Sequence, residues 1–192
     1  MQKLSGVERS EFGKGFARKL RKLGMIPAVV YSYGRDTISF STNPKNVSKI
    51  LLSSKRRNSL IILELINLTG KKQIKNVMVY DLQIDSITRT LLHVDFLEIN
   101  INIPIFVMVP VIVSGKCKAV VSGGYLIQIR NKIKLKCMPS IIPEKIIIDV
   151  TKLPFGTIRN SDIILPENVE LADNAKYVVI SVKPPRGIKE EK

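Results

Sequence analysis

The amino-acid sequence predicts a mostly β protein in two domains, and three observations predict it. Short runs of β-branched and other apolar residues, separated by turn residues, recur along all 192 positions. At 45% hydrophobic the chain can bury real cores, and without Trp those cores fall mainly to Ile, Leu and Val. The texture changes after Glu98, where Asn100–Pro104 reads as a linker.

Residues 1–98 are expected to form a basic β-barrel with short helices. Strands are expected near Val7, Ala28–Ser32, Ile38–Phe40, Leu60–Ile66, Lys75–Gln83 and Arg89–Glu98. A first helix is expected from about Gly15 to Leu23, closed by Gly24, whose missing Cβ suits a left-handed cap. A second begins at Pro44 behind Asn43, a side-chain cap followed by proline at the first helical position. Pro27 returns the chain to extended backbone ahead of the next strand. A second β-rich domain is expected over residues 103–185, punctuated by Pro110, Gly123, Gly124, Pro139, Pro143, Pro154 and Pro166. Residues 186–192 are charged and are expected to form a frayed tail.

Charge narrows the function. With 31 Lys+Arg against 16 Asp+Glu, the net charge is +15, which attracts polyanions: nucleic acid or an anionic membrane surface. Residues 1–35 hold eight basic residues against Glu8 and Glu11. Compositional bias toward Lys would not favour Arg there, yet four of the eight are Arg. Ile103 to Val113, the longest apolar stretch, is broken by Pro104 and Pro110 and falls short of the ~18 residues of a span. The N-terminus lacks the apolar segment of a signal peptide. Cys117 and Cys137 have no CxxC spacing and there is one His, so they read as free buried thiols rather than a metal site. No membrane, small-molecule substrate, metal or cofactor is expected, and the location is cytoplasmic.

The candidate binding residues lie in the first half. At 100° per residue Phe16, Leu20 and Leu23 form one stripe, with Arg18, Arg21 and Lys22 opposite and Lys19 at the edge. Basic residues near a helix C-terminus complement its dipole, which suffices for Lys22. Two arginines one turn apart, with planar forks suited to phosphate oxygens and base edges, point to RNA. Gly13-Lys14-Gly15 ahead of the helix is either an ordinary turn or a place where backbone approaches a phosphate. In Arg89–Glu98 the alternation puts Leu92, Val94 and Phe96 on one face, and His93 and Asp95 on the other. His93 and Asp95 read as a base and its orienter, as a surface pair with no role, or as hydrogen-bonding groups for bases. No credible nucleophile, second carboxylate or metal-ligand set accompanies them, so no enzyme is expected. Asp81 and Gln83 likewise share a face, and Tyr31 either stacks on a base or packs in the core.

At these residues the sequence resembles a known family. Gly13 to Arg21, running on to Met25-Ile-Pro-Ala-Val-Val-Tyr31, with Asp81-Leu-Gln83 and Leu92-His-Val-Asp-Phe-Leu97, is similar to the bacterial large-subunit ribosomal protein family, twenty-fifth of that subunit, that binds 5S ribosomal RNA. Val109-Pro-Val111, Gly123-Gly-Tyr-Leu126, Cys137-Met-Pro139 and Ile148 to Leu153 resemble its longer two-domain form, called CTC or general stress protein. The resemblance implies a six-stranded barrel gripping the loop E region of 5S rRNA, a β C-terminal domain, and neighbouring large-subunit components as further partners. Carried over by position, the RNA contacts are Arg9, Lys14, Arg18, Arg21, Tyr31, Gln83, His93 and Asp95. The chain departs from the family at Asp85-Ser86, where His-Pro is frequent, and at Ser32, where Gly is usual. The competing expectation is a stand-alone tRNA- or mRNA-binding protein, since the barrel resembles the anticodon-binding domains of glutaminyl-tRNA synthetase.

Overall fold

Six strands close on themselves in the first of two compact units, Met1–Ile103, and the second unit is Pro104–Lys192. The structure, a computed structural model, describes residues 2–32, 34, 36–53, 56–151 and 153–185. The tail expected over 186–192 lies outside the described residues.

The barrel strands are β1 (Gln2–Glu8), β2 (Ile26–Tyr31), β3 (Ile38–Thr42), β4 (Ile61–Ile66), β5 (Lys72–Ile84) and β6 (Leu91–Glu98), in the order β1-β3-β2-β6-β5-β4. Two parallel seams close the ring, β1 against β4 and β2 against β6, and the other pairings are antiparallel. Alternation decides what lies inside. Leu4, Phe40, Leu63, Val94 and Phe96 point inward and are almost fully buried, while Val7 is 48% exposed. The rings of Phe40 and Phe96 sit 5.8 Å apart at the centre. A Cβ on Gly6 would fall 2.4 Å from the Phe40 ring, so β1 needs glycine there for the phenyl to fill the barrel. Pro27 lies inside β2 rather than ahead of it, opposite Ser41 and one residue before the ladder with β6 begins at Ala28. Its missing N–H is therefore not needed by that ladder.

The helices start and stop for local reasons. In α1 (Lys14–Lys22) Gly24, at φ 75°, donates to the Arg21 carbonyl while Met25 donates to that of Leu20. This paired closure is the one a left-handed glycine makes possible. For α2 (Pro44–Leu51) the Asn43 side chain accepts from the Lys45 N–H at 2.9 Å, with Pro44 in the first turn. At one end of the barrel Lys75 is buried, its ammonium 2.6 Å from Glu98 Oε2 and 3.3 Å from Ser32 Oγ. The Ser32 hydroxyl also donates to Glu98. A buried ammonium requires such partners.

The second unit carries two sheets. Strands β7 (Ile105–Ser114), β9 (Lys132–Cys137), β10 (Ile146–Asp149) and β12 (Val169–Leu171) form one, in the order β10-β7-β9-β12. Strands β8 (Tyr125–Gln128), β11 (Gly156–Arg159) and β13 (Val178–Lys183) form the other, with β13 central, and a short helix α3 (Lys118–Val121) precedes β8. Val107, Val109, Ile133 and Leu135 are buried, and so are Cys117 and Cys137, neither of which forms a disulfide. Among the described residues no helix is long and apolar enough to cross a membrane.

Candidate nucleic-acid interface

The outer wall of the barrel at β2, β6 and β5 gathers four of the eight candidate residues, and β-sheet pleat explains how. With Val94 and Phe96 turned inward, His93 and Asp95 must face out. Asp95 sits opposite Asp81, and His93 opposite Gln83, across the antiparallel ladder. On the parallel side Tyr31 reaches Asp95 from β2.

These side chains form one hydrogen-bonded group. His93 Nδ1 lies 2.6 Å from Asp95 Oδ1, and the Tyr31 hydroxyl donates to Asp95 Oδ2 at 3.0 Å. An ionised carboxylate only accepts, so the Nδ1 proton faces Asp95 and Nε2 remains for an outside partner. The hydrogen bond to Asp95, then burial and the negative charge itself, raise the Tyr31 pKa above its ordinary value, so the phenol keeps its proton. The arrangement resembles a base with its orienter. Yet among the described residues the bonds of His93 and Asp95 lead to each other and to Tyr31, not to a serine or cysteine. Nor does any group of three or more His, Cys, Asp and Glu there have the arrangement to hold a metal ion.

Two irregularities in the β5–β6 ladder complete the surface. The register jumps between Val79 and Asp81, leaving Tyr80 without a partner. Such a bulge turns neighbouring side chains to the same face. Tyr80 and Asp81 are both exposed, and the Tyr80 ring meets that of Tyr31 edge to face at 6.3 Å. Asp81 and Asp95 would repel across the ladder. Arg57 relieves Asp81 at 3.5 Å, and His93 and Tyr31 occupy Asp95. The second jump, between Gln83 and Ile84, leaves Leu92 out of register with β5. Its carbonyl accepts from Nε and Nη2 of Arg21 at 3.3 and 3.1 Å.

That contact corrects the helix reading. Arg21, expected on the outer face with Arg18, is half-buried and fastens α1 to β6, while Leu23, expected on the apolar stripe, is 78% exposed. Ala17 and Arg21 share the buried side with Phe16 and Leu20, which rotates the inner face toward the small residue. The aliphatic stem of an arginine packs where its head finds a carbonyl. Arg18, Lys19 and Lys22 remain outward as a cationic row, and Lys14 is exposed in the first turn. Gly13, the cap of that turn, has φ 101° and ψ 170°, a region open to glycine alone. Gly15 has nothing within 4 Å of where a Cβ would stand.

Arg9 follows β1. Its guanidinium lies 5.2 Å from the centre of the Phe12 ring and donates to the Glu11 carbonyl at 3.0 Å, while Nε is shut off from solvent with no acceptor. Burial lowers its pKa. No contact among the described residues ties Arg9 or Lys14 to the Tyr31–Asp95–His93 group. Asp85, where the chain departs from the resembled family, spends its Oδ1 on the N–H groups of Ile87 and Thr88, so the 85–90 loop is a self-capped turn. Sequence reading missed Tyr80 and Arg57. The Arg56-Arg57 doublet was a visible signal for one, while nothing local marks the bulge that exposes the other.

Known proteins share this sequence at length. The profile described as Ribosomal L25p family matches residues 4–96, and that described as Ribosomal protein TL5, C-terminal domain, matches residues 104–186. A protein of Syntrophotalea carbinolica named Large ribosomal subunit protein bL25 is 39% identical over 180 residues, 93% of this chain and 85% of that one. Proteins of the same name from Desulfatibacillum aliphaticivorans and Syntrophobacter fumaroxidans are 36% and 34% identical, each over 95% of this chain and over 83% and 92% of their own lengths.

Proposed function

The chain belongs to the ribosomal L25p family, in the form that carries a TL5-type C-terminal domain, and from that premise we propose that its barrel binds 5S ribosomal RNA. As a family member it is a structural component of the large ribosomal subunit and not an enzyme, working on the ribosome in the cytoplasm. The observation that carries the RNA reading is the Tyr31–Asp95–His93 group, which holds an imidazole edge outward on the wall beside a cationic helix.

The division of labour follows from chemistry. Arg18, Lys19 and Lys22, with Lys14 and the open backbone at Gly15, neutralise phosphates and set the register. His93, braced by Asp95, and Gln83 opposite it present hydrogen-bonding edges to bases, while the rings of Tyr31 and Tyr80 offer faces and edges for stacking. Arg21 contributes by holding α1 in place. The loop E region and the neighbouring large-subunit components are the partners this reading assigns.

The test is a gel shift of the full chain against 5S rRNA and against tRNA of similar length. Preferential binding of 5S rRNA is expected, with a log–log salt slope of roughly −4 to −5 for about five phosphates at ~0.9 each. Equal or stronger binding of tRNA points instead to a tRNA- or mRNA-binding protein, and a flat salt response removes the electrostatic footprint.

A further inference from the structure

We propose that the outer face of the β10-β7-β9-β12 sheet is a second RNA-docking surface, built for an unpaired strand and independent of the barrel site. The pleat sorts the two sides of this sheet completely. Val107, Val109, Ile133 and Leu135 face inward, so their neighbours Phe106, Met108, Lys132, Lys134 and Lys136 face out. Register sets Phe106 opposite Lys136, Met108 opposite Lys134, and Pro110 opposite Lys132. Three lysines thus stand on alternate residues of one strand, about 7 Å apart, beside an apolar row with Phe106 63% exposed.

Charge and aromatic content choose the occupant. Lys136 is partly answered by Glu170 at 3.5 Å, but Lys132 and Lys134 face a cleft of about 370 Å³ lined also by Arg130 and Tyr177, whose acidic member is Asp173. The Lys134 ammonium lies 5.2 Å from the centre of the Phe106 ring, and the Arg130 guanidinium 5.3 Å from that of Tyr177. A cationic track with aromatic platforms spaced along it is the chemistry of sequence-tolerant single-strand binding: ammonium groups follow the phosphates and bases lie on the rings. A second copy of a chain of charge +15 is repelled from the same lysines.

The test uses the full chain, with an oligouridylate 20-mer and 5S rRNA as probes. The triple variant Lys132→Gln, Lys134→Gln, Lys136→Gln should bind oligouridylate about tenfold or more weakly, with its salt slope reduced by about 2, from three contacts at ~0.7 each. Its 5S rRNA binding should stay within about threefold of the parent, since most of that footprint is assigned to the barrel. Circular dichroism of the variant confirms the fold, and a fold-independent arm uses the parent alone. Crosslinking a 4-thiouridine-substituted 20-mer should label peptides spanning 105–136. Parent-like oligouridylate affinity and slope in the triple variant, or crosslinks confined to residues 1–103, overturn the proposal, including the case where the face serves a protein partner.

Discussion

Replacing Asp95 by asparagine separates recognition from electrostatics, because the two predict opposite signs. On charge alone, losing a carboxylate near a polyanion strengthens binding. At about 10 Å in water one unit pair is worth ~0.4 kcal/mol, cut to roughly a third by screening at 0.1 M salt. Several phosphates then give a few tenths of a kcal/mol, less than about twofold tightening. The structure argues for the reverse. Both Asp95 oxygens are in use, one by His93 and one by Tyr31. An amide accepts at a single oxygen, so one of the two donors loses its acceptor and meets an NH2 group instead. A charge-assisted hydrogen bond is worth ~1.5–3 kcal/mol, softened here because the pair is about one-fifth exposed. An unbraced imidazole would forfeit the base contact proposed for it, so Asp95→Asn should cost about 1–3 kcal/mol against 5S rRNA, roughly five- to 150-fold. The assay is a gel-shift titration at fixed salt, with melting curves to confirm a fold that an outward residue should hardly affect. A double-mutant cycle with His93→Ala isolates the coupling between the two residues. If Asp95 acts through His93, Asp95→Asn should cost far less once the imidazole is gone. Parent-like or tighter binding by the single variant, or full additivity in the cycle, refutes the positioning role.

Arg18→Ala should weaken cognate and non-cognate RNA alike and leave stability within about 0.5 kcal/mol, whereas Arg21→Ala should lower the melting temperature by freeing α1 from Leu92. Equal melting temperatures for the two would contradict the contact to the Leu92 carbonyl. Gly13→Ala forces an L residue into a glycine-only region and should destabilise by about 1–3 kcal/mol. Gly15→Ala, in open helical space, should instead stabilise by up to ~1 kcal/mol while weakening RNA binding, and unchanged affinity would mean that no phosphate approaches the backbone there. The Asp85 pKa is depressed by hydrogen bonds from Thr88 and then Ile87. A depressed carboxylate stabilises above its unfolded pKa, so the 85–90 turn should hold at neutral pH and loosen as pH falls below 3.8, the ordinary value. Amide chemical shifts of Ile87 and Thr88 that stay constant through that range would rule this out.

What the sequence made legible followed from period. Alternation alone put Val94 and Phe96 inside and His93 and Asp95 outside, and Asn43-Pro44 and Gly24 marked helix ends because capping is local chemistry. Where the fold departs, the cause is an interaction between distant segments. Leu4 and Gly6 form the inner face of β1, yet glycine carries no hydropathy, and its reason for being there is the Phe40 ring. The orientation of Arg21 depends on a carbonyl that a ladder irregularity leaves available 71 positions away. The exposure of Tyr80 depends on a bulge with no local signature. Hydrogen bonding within the Tyr31–Asp95–His93 group was half visible as an i, i+2 pair on one strand, and half hidden as a cross-strand contact.

The parallel seam between β2 and β6 has a consequence during synthesis. Ala28 pairs with Val94, so this closure joins residues 66 positions apart and must await β6. The cationic helix at residues 14–22 leaves the ribosome long before. A growing chain therefore carries charge that attracts RNA before the Tyr31–Asp95–His93 group proposed to discriminate among RNAs can form. Tyr31 stands on one side of the seam and Asp95 on the other. If the barrel reads RNA through this group as proposed, discrimination would be acquired in a single late event, and a chain truncated or misfolded before β6 would keep its charge but lose the Tyr31–Asp95 contact.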